Sequence, residues 1–319
     1  MSSFAGFAQR FNALADNVER VIRGKPDVVR LALVCLFAEG HLLIEDVPGV
    51  GKTLLARSIA ASIGGRLQRI QFTPDLLPSD VVGVSVYNPS GGRFEFHPGP
   101  VFANVLHGDE INRASPKTQS ALLEVMEERQ VTVEGRAHPV GRPFLVIATQ
   151  NPVDLTGTYP LPEAQLDRFL MRLSIGYPDH QAEISILAGG RTRPPVDTLR
   201  PVLSADEVAA MIAFAETASV APVICDYVVR LAAATRQAPG VRLGASPRAS
   251  VALVAAARAR AAACSREFVV PDDIKALAVP VLAHRLVLTP EAELRGQTAV
   301  GVIEEALASV PVPQARAVV

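Results

Sequence analysis

The chain has 319 residues, 49% of them hydrophobic, and its 31 Lys and Arg stand against 32 Asp and Glu for a formal net charge of −1. That near-neutral balance excludes the global basic field of a nucleic-acid binder, and no nucleic acid is expected as a partner. The longest unbroken apolar run, Leu31 to Ala38, falls short of the ~18 residues a membrane span needs, and an N-terminus with Asp16, Glu19 and no apolar h-region excludes a secretory signal.

Two domains are expected at this length, because single cores stop growing near ~250–300 residues. Cys35, Cys225 and Cys264 lie far apart in apolar helical contexts. They read as buried free thiols of a reducing compartment, so a cytoplasmic protein is expected.

Phe4, Phe7, Phe11, Leu14, Val18 and Val21 recur at helical spacing, and Gly24 ends that helix. Pro26-Asp27 opens a second helix, running to Glu39 and stopped by Gly40. Leu42 to Ile44 reads as a buried strand that breaks into the turn Pro48-Gly49-Val50-Gly51. Lys52-Thr53 then opens a helix over Leu54 to Ser62, ended by Gly64-Gly65. Strand, glycine loop and helix N-terminus together form an anion site: backbone N–H groups cradle phosphates, Lys52 reaches the terminal ones and the Thr53 hydroxyl can ligate Mg²⁺. The full pattern G-x-x-x-x-G-K-[ST] would place glycine where this chain has Asp46. The bland alternative is a chance Gly-rich βα turn.

Arg69 to Phe72 predicts a second strand, followed by an irregular Pro-rich stretch, residues 73–78. Residues 84–96 alternate around Pro89-Ser90-Gly91-Gly92, a hairpin pattern. Phe102 to Leu106 resumes apolar character and feeds His107-Gly108-Asp109-Glu110. Ser115-Pro116 caps a helix to Glu128, residues 131–140 read as a second hairpin with Gly135 in its turn, and Phe144 to Ala148 is an apolar strand that runs into Thr149-Gln150-Asn151-Pro152. Strands alternating with helices argue a parallel α/β sheet up to about Tyr177. Residues 191–201 are basic and Pro-bearing, as in a linker. From Ser204 onward only helices are expected, beginning with a Ser204/Glu207 capping box.

Asp109-Glu110 at a strand end is the second chemical constellation. One carboxylate can hold Mg²⁺ through water while its neighbour polarises the attacking water. Alone, such a pair is equally a solvated turn. Asn151, at the next strand end, can orient that water or simply form an Asn-Pro turn. Arg168 lies near the end of a helical stretch, where it can bind the helix's own last carbonyls. Arg248 sits in the first turn of a helix, the unfavourable end of the macrodipole for a cation, so some anion should compensate it.

In order and spacing these stretches resemble the AAA+ ATPases, most closely the MoxR group of the helix-2-insert clade. The matching segments are residues 45–53, 69–80, 99–102 with 109–114, 148–152 and 159–169. The resemblance implies an α/β P-loop sandwich with a parallel sheet over residues 1–178, a linker over 179–203 and an all-α lid over 204–319. It implies ATP and Mg²⁺ as cofactors. Asp46, Val47, Pro48, Gly49, Val50, Gly51, Lys52, Thr53 and Leu54 would form the nucleotide loop, with Thr53 and Asp109 at the metal. Asp109 and Glu110 resemble Walker B, Asn151 sensor 1, Arg168 an arginine finger acting on the neighbouring subunit and Arg248 sensor 2. Residues 84–96 resemble the helix-2 insert and 129–142 the pre-sensor-1 hairpin, loops that face a ring's pore or its client.

The function this implies is a ring-forming ATPase, a hexamer, that remodels protein clients beside a von Willebrand A-domain partner. A motor subunit of a metal-chelatase-type complex is the alternative within the clade. A P-loop kinase is the alternative from another class, and it leaves Arg168, Arg248, both hairpins and the helical domain unexplained.

Overall fold

The computed structural model describes residues 3–151, 157–188 and 195–313. Helices α1 (Phe4–Glu19) and α2 (Pro26–Phe37) precede β1 (Leu42–Glu45), α3 (Lys52–Ser62), β2 (Leu67–Gln71) and α4 (Pro78–Val82). A hairpin of β3 (Gly83–Asn88) and β4 (Arg93–Pro98) leads to β5 (Val105–Asp109) and α5 (Pro116–Glu128). The second hairpin, β6 (Gln130–Val133) and β7 (Arg136–Pro139), leads to β8 (Leu145–Gln150), the single turn α6 (Glu163–Leu166), β9 (Met171–Leu173) and α7 (His180–Ala188). The rest comprises α8 (Ala205–Ala215), α9 (Pro222–Gln237), β10 (Val241–Leu243), α10 (Pro247–Ala263), α11 (Pro271–Leu282), β11 (Val287–Leu288), α12 (Pro290–Leu294) and α13 (Ala299–Ser309).

The main sheet has five strands in the order β2-β5-β8-β1-β9, and every pairing in it is parallel. Both faces are covered, so the central strands are apolar over most of their length and their alternation there sorts residues between two cores. Leu42, Ile44, Val105, Leu145 and Ile147 face a core built with α1, α2 and α3, while Leu43, Leu106, Val146 and Ala148 face one built with α5. The first core continues into the helical part, where Leu253 and Ala257 of α10 join Phe7, Phe11 and Leu33. Parallel pairing gathers the C-terminal ends of β1, β5 and β8 at one edge, the usual position of a site in such sheets. Because β8 lies between β5 and β1, Asn151 emerges between the glycine loop and the acid pair.

Most local expectations hold. The Ser204/Glu207 capping box forms, and both hairpins pair as read. Others need correction. The helical part contains the strand pair β10–β11, which exists only because distant segments meet. The three-residue edge strand β9 carries too little periodicity to be read from sequence. Residues 73–77 are irregular as read, and helix α4 begins at Pro78, the last residue of that stretch, in its first turn where a missing N–H costs nothing. Cys35 is buried as expected, but Cys225, on the outer side of α9, and Cys264, just past the end of α10, are exposed. Part of the stretch expected as a linker is the helix α7. Farther on, the Val202 and Leu203 N–H groups donate to the Ser62 carbonyl, while the Asn17 amide donates to the Ser62 hydroxyl at 2.9 Å and the Arg200 carbonyl at 3.1 Å. The chain entering the helical part is thereby pinned to the end of α3. No helix among the described residues is long and apolar enough to cross a membrane.

Candidate functional site

The loop between β1 and α3 needs its glycines for backbone reasons. Gly49 has φ 86° and Gly51 φ 98°, and the space a Cβ would occupy at either is open. These left-handed conformations are disfavoured for residues with a Cβ. Helix α3 has no side-chain cap, which leaves the N–H groups of its first turn available to an anion. The Lys52 ammonium lies back over the loop and donates to the Asp46 carbonyl at 2.6 Å and the Val47 carbonyl at 3.3 Å.

The Asp46 side chain is committed elsewhere. One carboxylate oxygen accepts from the Val47 N–H at 2.8 Å; the other accepts from the Ser174 hydroxyl at 2.9 Å and the N–H groups of Ile175 and Gly176 at 2.7 and 2.6 Å. Burial pushes this carboxyl up, yet the four hydrogen bonds outweigh it and hold the group below the usual carboxylate range. Asp46 therefore ties the loop to the segment after β9. Only its carbonyl is turned to Lys52.

Asp109 ends β5, and Glu110 follows in the left-handed region at φ 56°. Such a conformation costs a residue other than glycine roughly 1–2 kcal/mol and needs support from its surroundings. Thr149 on the adjacent β8 supplies it. Its buried hydroxyl accepts from the Glu110 N–H at 2.9 Å and donates to Asp109 Oδ1 at 2.7 Å, fixing both acids with one group. Asp109 Oδ2 accepts from Arg69 at 2.7 Å, and Glu110 Oε2 accepts from Gln71 at 3.0 Å and lies 3.2 Å from Arg113 Nε. Burial raises the Asp109 carboxyl, but the Arg69 and Thr149 hydrogen bonds more than offset that and hold it ionised below its ordinary range.

Sequence reasoning missed Thr149, Arg69 and Gln71. The available clue was β2 itself, where Gln68, Arg69 and Gln71 are polar in a strand paired along its length with β5. His107, between the two motifs, is a buried strand residue, and burial lowers its ring to about 4.

Among the described residues no group of three or more His, Cys, Asp and Glu could hold a metal. A Thr53 hydroxyl and an Asp109 carboxylate are hard oxygen donors, and a cation that keeps most of its waters and takes its other ligands from phosphate fits them, as Mg²⁺ does. Asp109 already holds a cationic group, the Arg69 guanidinium, so the position favours positive charge.

The two remaining arginines are brought together, though not at the acid pair. Arg168 Nη2 lies 3.1 Å from Glu127 Oε2, and Arg248 Nη1 lies 3.1 Å from Glu127 Oε1. Glu127 is the anion that the first turn of α10 called for, and nothing near it along the chain marks it as such. It lies near the C-terminal end of α5, whose N-terminus starts just after the acid pair. At 1.5 Å per residue the two ends are roughly 18 Å apart. The segment carrying Arg168 is fastened to the helical part. Arg242 pairs with Glu163 at 3.0 Å, Arg285 pairs with Asp167 at 2.5 Å, and the His284 Nε2 donates to the Phe169 carbonyl at 3.0 Å. A cavity of about 440 Å³ beside Arg168 is lined by Ser120, Glu124, Glu128, Gln130 and Thr132.

The family described as "ATPase family associated with various cellular activities (AAA)" matches residues 41–171, and the AAA lid domain matches residues 233–306. The uncharacterised protein YeaC of Bacillus subtilis is 49% identical over 304 residues, 95% of either chain. The chaperone MoxR1 of Mycobacterium tuberculosis is 44% identical over 310 residues, 94% of this chain and 82% of that one. A crystal structure of a protein from Cytophaga hutchinsonii shares the fold with a TM-score of 0.89 at 36% identity, covering 98% of this chain and 97% of the other. With likeness to a MoxR chaperone over 94% of its residues, an AAA core and an AAA lid, the chain belongs to the MoxR group of AAA+ ATPases.

Proposed function

We propose that the protein hydrolyses ATP as a ring of its own copies, a hexamer, and uses the cycle to remodel protein clients in the cytoplasm beside a von Willebrand A-domain partner. One observation carries the hydrolytic part. Lys52 lies over a left-handed glycine loop at the same sheet edge as the Asp109–Thr149–Glu110 group.

On nucleotide binding Lys52 exchanges the Asp46 and Val47 carbonyls for the terminal phosphates, and the backbone N–H groups from Gly49 to Leu54 donate to the phosphate oxygens. Thr53 and Asp109 would hold Mg²⁺, which when bound neutralises charge developing on the phosphates. Glu110 accepts the proton of the attacking water, and Asn151, at the end of the strand between loop and acids, orients that water. Arg168 and Arg248 meet at Glu127, near the end of α5 that is farther from their own acid pair. Paired on one carboxylate, they suit the γ-phosphate of a neighbouring copy.

Support for the client-facing part comes from the first hairpin, where Val84, Val86, Tyr87 and Phe94 are exposed apolar side chains and the Tyr87 and Phe94 rings lie 5.4 Å apart. The relative MoxR1 is named a chaperone, which fits the same reading. The test is phosphate release and nucleotide binding by three proteins. The wild type should release phosphate without a phosphorylated acceptor, Lys52→Ala should bind no ATP, and Glu110→Gln should bind ATP normally while turnover falls by about 10²–10⁴-fold. Equal loss of ATP affinity in both variants would remove Glu110 from the hydrolytic role.

A further inference from the structure

Residues 167–170 run from the end of α6 to the start of β9 outside any helix or strand, so their carbonyls must find donors beyond the segment. One side chain of the helical part supplies them. Arg285, in the turn that follows α11, has a side chain only 3% exposed. Its Nε donates to Asp167 Oδ1 at 2.5 Å, and its Nη2 donates to the Asp167 carbonyl at 3.2 Å and the Phe169 carbonyl at 2.8 Å. Its Nη1 donates to the Leu170 carbonyl at 3.2 Å and to the Val281 carbonyl. A guanidinium has five N–H donors, one on Nε and two on each Nη, and all of them are used. The Phe169 carbonyl also accepts from His284 Nε2 at 3.0 Å.

A buried charge is costly unless it is both paired and fully hydrogen-bonded, and here it is both. Burial pulls the Arg285 guanidinium below its ordinary range, with the Asp167 carboxylate opposing and Arg248 adding to the effect. Arg168 stands between the held carbonyls of Asp167 and Phe169, while its own side chain, 28% exposed, reaches Glu127. The direction of that side chain follows from the backbone on either side of it. A group of the helical part holds that backbone.

We propose that Arg285 is a positioning residue that aims Arg168 at the neighbouring copy, so that the helical part of one subunit governs hydrolysis in the next. The inference rests on the reading of Arg168 as acting on a neighbouring copy's phosphate. On the α/β side the segment is held at Leu170, whose N–H donates to the His41 carbonyl at 2.8 Å. A shift of the turn carrying Arg285 relative to the sheet therefore bends the segment next to Leu170 and redirects Arg168. The subunit's own glycine loop and acid pair do not lie on that route.

The test compares Arg285→Lys with Arg168→Ala in the full-length protein. Lysine keeps the charge for Asp167 but offers three donors from one point, which cannot also hold three carbonyls. Arg285→Lys should bind a fluorescent ADP analogue like the wild type and lose about 10²-fold in kcat, the scale of a reacting group displaced by about 1 Å. Mixed with Lys52→Ala subunits and shown to co-assemble, it should regain part of the activity, as Arg168→Ala does. The Arg285→Lys subunit brings an intact nucleotide loop, and the Lys52→Ala subunit brings a correctly held Arg168. A residue that only stabilised its own subunit would impair its own site and leave the mixture inactive. Asp167→Asn keeps the shape at a side chain 21% exposed, so it tests the same link even where Arg285→Lys does not fold. It should show the same pattern with a smaller loss, and the two changes together should be non-additive.

Unchanged kcat in the folded variants overturns the inference. So does a loss that Lys52→Ala subunits fail to restore while they restore Arg168→Ala. Failure of every co-assembled mixture, Arg168→Ala included, overturns it together with the between-subunit reading of Arg168.

Discussion

Arg168 and Arg248 share one carboxylate, each with a guanidinium nitrogen 3.1 Å from a different oxygen of Glu127. Arg168 follows α6 and Arg248 belongs to the first turn of α10, so the meeting joins the α/β part to the helical part at one anion. Glu127 is 37% exposed, which leaves room for another anion to take both guanidinium groups.

If both act on a phosphate of a neighbouring copy, removing either should cost turnover and leave binding nearly normal. Arginine fingers in other P-loop enzymes supply about 10³–10⁵ in rate. Arg168→Ala should fall in that range, and the double variant with Arg248→Ala should lose less than the product of the single losses. Mixing Arg168→Ala with Lys52→Ala subunits should restore part of the activity, since each spares one half of a shared site. No recovery in a mixture shown to co-assemble would count against a site built between subunits.

Asp46 should behave as a tether. Asp46→Ala strands the buried Ile175 N–H and the half-buried Gly176 N–H, while the exposed Ser174 hydroxyl can turn to water. An unsatisfied buried donor costs about 1–3 kcal/mol, so a loss of about 2–4 kcal/mol in urea unfolding is expected, with weakened nucleotide binding. Asp46→Gly, which restores the general loop pattern, should be no better. A variant as stable as the wild type would show that the bonds to 174–176 contribute nothing.

Acid should destabilise the fold well before its carboxylates protonate. The His41 Nδ1 accepts from the Val146 N–H at 3.1 Å, and its Nε2 donates to the Met126 carbonyl at 3.1 Å, which fixes the neutral tautomer. Burial, reinforced by Arg129, lowers His41 from 6.5 to about 3. Burial beside Arg285 lowers His284 as well. Between pH 6.5 and about 3 the unfolded chain takes up the His41 proton and the folded one does not, so stability falls as pH falls, and His284 acts in the same direction. For His41 the loss at pH 5 is about 2 kcal/mol. Asp46, Asp109 and Glu39 are shifted the other way, below 3.8 or 4.5, so their contribution is lost only at lower pH. Chemical denaturation at pH 7 and pH 5 measures the difference, and equal stabilities would refute the account.

The first hairpin should matter to the client and not to the chemistry. Tyr87 is 52% and Phe94 61% exposed, and their rings lie 5.4 Å apart. Tyr87→Ser with Phe94→Ser should keep basal hydrolysis near the wild type and abolish client stimulation or remodelling. Phe96 and His138, whose rings lie 4.3 Å apart, link this hairpin to the second one. Loss of basal turnover in a folded double variant would assign the hairpin to the hydrolytic site.

The sequence by itself determined what depends on neighbours along the chain. The positive φ of Gly49 and Gly51, the cap of Ser204 by Glu207, the hairpin turns at 89–92 and around Gly135, and the acid pair closing β5 all follow from backbone sterics and hydrogen bonds spanning a few residues. Tertiary structure alone decided the strand order that brings Thr149, Arg69 and Gln71 to the acids, the binding of Asp46 to residues 174–176, and the choice of Glu127 as partner to both arginines. It also decided β9 and the β10–β11 pair, whose few residues are strands only because a partner lies alongside. The reason is the same in each case. A carboxylate, an amide or a short strand carries equal local preference in many settings, and only the group that packing places within about 3 Å of it decides what it does.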